Sequence, residues 1–358
     1  MPARPVAPIP PPACDAFTDG IDHPDLWLWD AWLAEGPDGT DLFTLAVSRN
    51  DAGGAPITPA ARDAYPFHVR RFRSADGGAS WHDLGAFLSP GAGAGGAAAH
   101  NVWSGGALRT EAQGGRLLFG FTGVRAPTPA RQYLQSVCLT EAGEDGARVA
   151  DASVISDPER DSDAIRAKGY FLGPRETLGS NASEAGGPIM AWRDPFLIET
   201  DGALLAFWSA KVAAGVPAVA WGRIERAGAG EGAGFRLADL FAPITLPDAD
   251  GFTQAEVPKV YRVGGGWRML VSSCDRVSED QPASAVTKAL RLYAAEDLGG
   301  PWRSAYGEAS VVPGASGLFG GALMDVGPDE ATLIAPWSDL EPADRTLRFA
   351  PPRRVPLG

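Results

Sequence analysis

Hydrophobic positions in this chain gather into short runs, some alternating with polar residues and some continuous, and no long stretch keeps the three-to-four-residue spacing of an amphipathic helix. Runs of this kind occupy residues 42–49 (LFTLAVSR), 67–74 (FHVRRFRS), 116–124 (RLLFGFTGV), 133–140 (YLQSVCLT), 195–200 (PFLIET), 203–212 (ALLAFWSAKV) and 218–226 (AVAWGRIER). Further runs follow at 258–273, 289–295 and 331–338. They are rich in β-branched and aromatic residues and are separated by Gly, Asp, Asn and Pro, which predicts strands joined by turns. ETDGA and RVGGGW supply glycines able to take the positive φ of tight hairpins. Many short antiparallel strands with no helices between them predict an all-β fold, either a propeller of four-stranded blades or a large sandwich.

Two turns favour the propeller. Residues 74–81, SADGGASW, resemble the Asp-box hairpin turn of sialidase-like propellers, and 296–302, EDLGGPW, resemble a blade turn of sugar-cleaving propellers. The pattern divides the chain into a proline-rich arm (1–20) that either packs on the domain or stays loose, a single β domain (21–345), and a C-terminal tail (346–358).

Composition narrows the chemistry. The net charge of −13 repels a phosphate backbone, which argues against nucleic acid as a partner. No apolar run is long enough for a bilayer span, and the N-terminal MPARPVAPIPPPAC lacks the apolar core of a signal peptide. The expected location is therefore cytoplasmic, or outside the cell by a route without a cleavable signal. Cys14, Cys138 and Cys274 are too scattered for a disulfide framework or a metal clip, and the four histidines show no ligand spacing, so no metal or other cofactor is expected. GAGAGG (91–96) has no following Gly-Lys-Ser/Thr and reads as a loop, not a phosphate cradle; the glycosylation triplet at 181–183 is read as a chance match.

Three carboxylates stand in settings suited to sugar chemistry. Retaining cleavage of a glycosidic bond needs one carboxylate as nucleophile and one carboxylic acid to protonate the leaving oxygen. In a propeller, such groups come from inner strands of different blades and lie far apart in sequence. Asp30 sits in LWLWDAW, where indole faces can carry the C–H surface of a sugar and exclude water; it also reads as a strand-end Asp beside core tryptophans. Asp194 follows Trp192 and Arg193 and precedes an apolar strand, where the arginine holds a sugar hydroxyl, keeps Asp194 ionised, or simply makes a structural ion pair. Glu256 enters a strand whose alternation places Gln254, Glu256 and Pro258 on one face; an exposed edge glutamate is the other reading. HNVWSGGA (100–107) adds an indole, Trp103, and a hydroxyl, Ser104, able to donate to a carboxylate.

In this order, these stretches resemble glycoside hydrolase family 68, the levansucrases, inulosucrases and related β-fructofuranosidases, in a clan shared with the family 32 invertases and related to family 43. The resemblance runs from about residue 25 to 338. It implies a five-bladed β-propeller with a funnel-shaped central active site, and it assigns Asp30 as nucleophile, Asp194 as transition-state stabiliser and Glu256 as general acid/base. It further implies that Trp29, Trp103, Ser104, Arg193, Gln254 and Arg276 bind substrate, with sucrose or a fructo-oligosaccharide as the small-carbohydrate partner. The implied chemistry is hydrolysis or transfer of a fructosyl group through a covalent fructosyl-Asp intermediate, with Asp30 ionised and Glu256 protonated at working pH. Val257 stands where the family has Arg, and Gln254 where an acidic residue is frequent, so the leaving-group side is expected to be rebuilt. The alternatives are a family 43-like arabinofuranosidase, or a propeller that binds carbohydrate without turnover.

Overall fold

The computed structural model describes residues 8–91, 96–110, 116–143, 151–180, 190–228, 233–277 and 281–358. The triplet at 181–183 and most of the 91–96 loop lie outside them. Five antiparallel sheets follow one another along the chain as the blades of a propeller. Blade 1 runs outward from Leu26–Gly36 through Gly39–Ser48 and His68–Ser74 to Ser80–Leu88. Blade 2 begins with Asn101–Arg109, blade 3 with Arg193–Thr200, blade 4 with Gln254–Val263 and blade 5 with Ala322–Met324. These first strands form the ring around the axis: those of blades 1, 2, 3 and 4 touch in succession, and that of blade 5 closes onto blade 1. Tyr261 Oη accepts a bond from Leu323 N, 2.9 Å away, joining blades 4 and 5.

Core formation follows from stacking. The middle strand Gly39–Ser48 is buried over nearly its whole length, because both faces of its sheet meet neighbouring blades, whereas the outer Ser80–Leu88 alternates buried and exposed. Five apolar clusters fill the five blade junctions. Trp32, Phe43 and Phe119 pack between blades 1 and 2, Leu139 and Trp208 between 2 and 3, and Phe207 and Met269 between 3 and 4. Leu292 and Leu333 pack between blades 4 and 5, and Phe72, Trp81 and Ile334 between 5 and 1. Truncating any of the buried aromatics to Ala costs roughly 3–5 kcal/mol.

The inner strands approach so closely that side chains are excluded in places. A Cβ on Gly106 would lie 2.8 Å from both the Phe196 Cα and the Pro195 carbonyl oxygen of blade 3. The SADGGASW turn is a hairpin tip between strands His68–Ser74 and Ser80–Leu88: Asp76 accepts from Ser74 Oγ at 2.8 Å and from Ser80 N at 2.9 Å, and the following Trp81 is buried. Among the described residues, one short α-helix, Ser162–Ala167, interrupts the all-β pattern; its Ile165 is buried between blades 2 and 3.

Both chain ends depart from the expected boundaries. Phe17–Thr18 forms the outer edge of blade 1, and Arg70, fully buried, donates to the Pro10 and Pro11 carbonyls at 2.7 and 2.8 Å while pairing with Asp83. The described part of the arm is therefore stitched to the domain. Residues 346–358 are no tail. Arg353–Pro356 is the outer strand of blade 5, Leu357 is fully buried, and Leu28 N donates to Leu347 O at 3.0 Å. Reciprocal bonds between Ile21 and Phe349 and an Asp22–Arg348 ion pair fasten the two ends together and close the ring.

Candidate active site

The inner strands of blades 1 to 4 each carry one residue more than their partner strand, and the excess falls at the residues singled out in the sequence. In blade 1 the pairing steps from Trp29↔Leu45 to Ala31↔Thr44, leaving Asp30 out of the ladder. In blade 2 it steps from Trp103↔Thr122 to Gly105↔Phe121, leaving out Ser104. Blade 3 jumps from Arg193↔Ser209 to Phe196↔Phe207 around Asp194 and Pro195, and blade 4 from Glu256↔Ser272 to Lys259↔Leu270 around Val257 and Pro258. These are β-bulges, which bend a strand and re-aim a side chain. The two prolines fit because a bulged position needs no ladder N–H.

Backbone strain marks the same places. Asp30, Asp194 and Val257 have φ of 54°, 63° and 44°, the left-handed region that costs L-residues and is most unusual for a β-branched one. Each strained unit is held by neighbours. Ala31 N donates to Gly320 O at 2.6 Å, Asp194 N to Thr122 Oγ1 at 2.7 Å, and Val257 N to Asp194 Oδ2 at 3.2 Å. The bulge also breaks the alternation expected after Glu256: Gln254 and Glu256 face the pocket, while Pro258 is not among its lining residues.

The pocket has a volume of about 730 Å³ and brings together Trp29, Asp30, Trp103, Ser104, Arg193, Asp194, Gln254, Glu256 and Arg276. Every residue proposed from sequence for catalysis or substrate binding thus reaches one cavity. Ser104 Oγ donates to Asp30 Oδ2 at 2.5 Å. Ser209 Oγ donates to Asp194 Oδ2 at 3.0 Å. Arg193 spans the two later carboxylates, its Nη2 3.2 Å from Glu256 Oε1 and its Nε 3.6 Å from Asp194 Oδ2. The same Nη2 lies 3.3 Å from Gln254 Oε1, while the buried Gln254 Nε2 has no hydrogen-bond partner among the described residues.

Burial dominates the electrostatics. It pushes the Asp30 carboxyl above its usual range, against the opposing effect of the Ser104 hydroxyl and with a further push from Glu256. It pushes Asp194 up to about 7; Arg193 opposes this, and the charges of Asp30 and Glu256 add to it. Both aspartates therefore hold their protons more tightly than exposed carboxylates do.

Sequence reasoning missed several groups. Lys259 is 1% exposed and interacts electrostatically with Asp30 and Asp194. Arg62, Lys288 and Asp339 also line the pocket, with Asp339 3.1 Å from Arg62 Nη2 and 2.5 Å from Lys288 Nζ. The Arg62 guanidinium lies 5.5 Å from the Trp29 ring centroid. Gly320 of blade 5 backs the nucleophile candidate so closely that a Cβ would fall 2.1 Å from Asp30 Oδ1. These residues come from the middle of a blade 4 strand, a short 3-10 segment, a strand start and the last-blade loops, and none carries a motif.

No protein-family model matches the sequence, and no curated protein matches it. Solved structures do. An inulosucrase from Halalkalicoccus jeotgali bound to kestose aligns over 100% of this chain and 90% of its own at a TM-score of 0.65 and 19% identity. Bacillus subtilis levansucrase aligns over 95% of this chain and 86% of its own (TM-score 0.62, 13% identity), and a B. megaterium levansucrase variant over 93% and 83% (TM-score 0.62, 13% identity). The fold is the five-bladed propeller of these proteins.

Proposed function

We propose that the protein is a retaining glycoside hydrolase or fructosyltransferase acting on sucrose or a related β-fructofuranoside. The observation that carries this reading is the set of four bulges that deliver Asp30, Ser104, Asp194 and the Glu256 segment to one indole-lined pocket. The likeness to inulosucrase and levansucrase structures over nearly the whole chain supports the substrate class.

Asp30 attacks the anomeric C2 of the fructosyl unit while Glu256 protonates the departing oxygen. The bond to the leaving sugar breaks as the Asp30 ester forms. Asp194 accepts hydrogen bonds from the ring hydroxyls, and its charge stabilises the oxocarbenium character of the transition state. Glu256, now a carboxylate, then takes the proton of a water or a sugar hydroxyl that attacks C2 and frees Asp30. Ser104 orients the nucleophile and stabilises its anion, and Arg193 holds Glu256 in reach of the scissile oxygen. Trp29 and Trp103 supply apolar faces for the sugar.

The leaving-group side differs from the family pattern. Val257 is buried away from the pocket, and Arg62, Lys288, Asp339, Arg276 and Gln254 provide the polar wall. Incubation of purified protein with sucrose, followed by sugar chromatography, tests the proposal. Glucose with free fructose indicates hydrolysis, and fructosylated oligomers indicate transfer. Absence of turnover on sucrose and fructo-oligosaccharides, with release of pentose from arabinofuranosides or with binding alone, would replace it by one of the other readings.

A further inference from the structure

On the functional reading above, we propose that Thr122 is a positioning residue of the catalytic site: its buried hydroxyl joins the bulge that holds the nucleophile to the bulge that carries the transition-state stabiliser. Thr122 lies on the second strand of blade 2, Leu117–Arg125, opposite Trp103 at the rung where the pairing slips past Ser104. It is fully buried and does not line the pocket, so its role is not contact with substrate. Its Oγ1 donates to Ser104 O at 3.0 Å and accepts from Asp194 N at 2.7 Å. A hydroxyl suits this place because it donates and accepts at one atom. The two backbone groups it serves belong to bulged residues displaced from their ladders, and a buried backbone group left unpaired is costly.

The link continues to the nucleophile. Hydrogen bonds of 2.5, 3.0 and 2.7 Å lead from the Asp30 carboxylate in blade 1, through Ser104 and Thr122 in blade 2, to the main chain of Asp194 in blade 3. The Asp194 carboxylate has its own anchors, Ser209 Oγ at 3.0 Å and Val257 N at 3.2 Å, which set its direction. Thr122 sets where the Asp194 backbone stands relative to Ser104. Related hydroxyls border the other bulges. Thr44 Oγ1 donates to Trp29 O at 2.8 Å, and Ser272 Oγ, opposite Glu256, accepts from Gly320 N at 2.9 Å. Thr44, Ser209 and Ser272 are likewise buried on second strands and do not line the pocket. Among the four, Thr122 is the one that joins bulge to bulge, and so fixes Asp194 against Asp30. That spacing matters most in the transition state, where a misplacement of about 1 Å can cost on the order of a hundredfold in rate.

Thr122→Val removes the hydroxyl at nearly constant volume, and Thr122→Ser keeps it. Thr122→Val should lower kcat on sucrose by roughly ten- to a hundredfold and change KM by less than about threefold, while Thr122→Ser stays within about threefold of the unaltered enzyme. An unchanged kcat in Thr122→Val, a loss carried by KM, or an equal loss in both variants would overturn the proposal. NMR of the Asp194 amide and of carboxyl-labelled aspartate reads the link without turnover, Asp30 being assigned with Asp30→Asn. Thr122→Val should move both the Asp194 amide and the Asp30 carboxyl signals, and Thr122→Ser should leave both near their original places. These shifts support the link even if sucrose is not the substrate; an Asp30 signal unmoved in Thr122→Val would overturn it even if sucrose is turned over. Where Thr122→Val does not fold, amide exchange in the unaltered protein decides. An Asp194 N–H as protected as the core amides of Arg193–Thr200 supports the bond, and one exchanging as fast as loop amides would overturn it.

Discussion

Ser104 Oγ donates to Asp30 Oδ2 across 2.5 Å, joining the extra residues of two different blades into one contact. The hydroxyl opposes the effect of burial on Asp30, because a donor stabilises the anion. A charge-assisted bond of this kind contributes about 1.5–3 kcal/mol. Ser104→Ala should therefore reduce kcat/KM by roughly ten- to a hundredfold. Its removal raises the Asp30 pKa, so the deficit should be larger at pH 5 than at pH 7.5, which a pH–rate profile checks.

Asp194 illustrates a stability cost paid for function. Its folded value of about 7 lies above the ordinary 3.8, so the folded protein holds this proton where the unfolded chain has lost it. The stabilisation is fully present below about pH 4 and is lost as pH rises through 7. Asp194→Asn should therefore raise Tm above pH 7, by an amount corresponding to about 1–4 kcal/mol, and change it little at pH 4, while abolishing turnover. Thermal melts of both proteins across pH measure the difference.

Gly320 should tolerate no side chain. Its φ is 64°, and an added Cβ would meet Asp30 at Oδ1, 2.1 Å, and at Cα, 2.7 Å. Asp30 is held by Ser104 Oγ, and the next residue's N–H by the Gly320 carbonyl, so neither partner can yield easily. Gly320→Ala should cost at least about 2 kcal/mol of stability and lower kcat by more than a hundredfold. Comparing its melting curve with that of Asp30→Ala separates the clash from the loss of the carboxylate.

Asp339 ties Arg62 to Lys288 at the pocket wall. Burial works to raise its pKa, but the two cations overcome this and hold it well below the usual carboxylate range. The pairing thus stabilises the fold at neutral pH and is lost as acid protonates Asp339 below its ordinary value of 3.8. Asp339→Ala should raise KM for sucrose several-fold, with a smaller change in kcat, and should cost about 1–3 kcal/mol because two half-buried cations lose the carboxylate they share. Steady-state kinetics and denaturant unfolding check the two parts.

The sequence disclosed the parts of this molecule that obey short-range rules. Middle strands such as Ala203–Ala213 are buried on both faces and stand out as apolar runs, and SADGGASW announces its hairpin by its own hydrogen bonds. Outer strands were harder to read. Arg353–Pro356 carries one buried residue among charged and proline neighbours, and only pairing with Glu330–Ile334 makes it a strand. Asp30 and Asp194 were legible because each lies beside tryptophan or arginine, and Glu256 because it follows them in order at a strand entrance. Lys259, Arg62 and Asp339 were not. A lysine in a strand is ordinarily solvated, and nothing local to PKV shows that the ring of blades buries it. The bulges were likewise hidden, since an extra residue exists only relative to its partner strand.

Asp30 is proposed to carry the fructosyl group between donor and acceptor. The direct measurement is rapid acid quenching of the enzyme during turnover of sucrose, followed by proteolysis and mass spectrometry. The expected result is one fructosyl unit esterified to the peptide containing Asp30, absent when Asp30 is replaced by Ala. Active turnover with no adduct, or an adduct on another carboxylate, would contradict it.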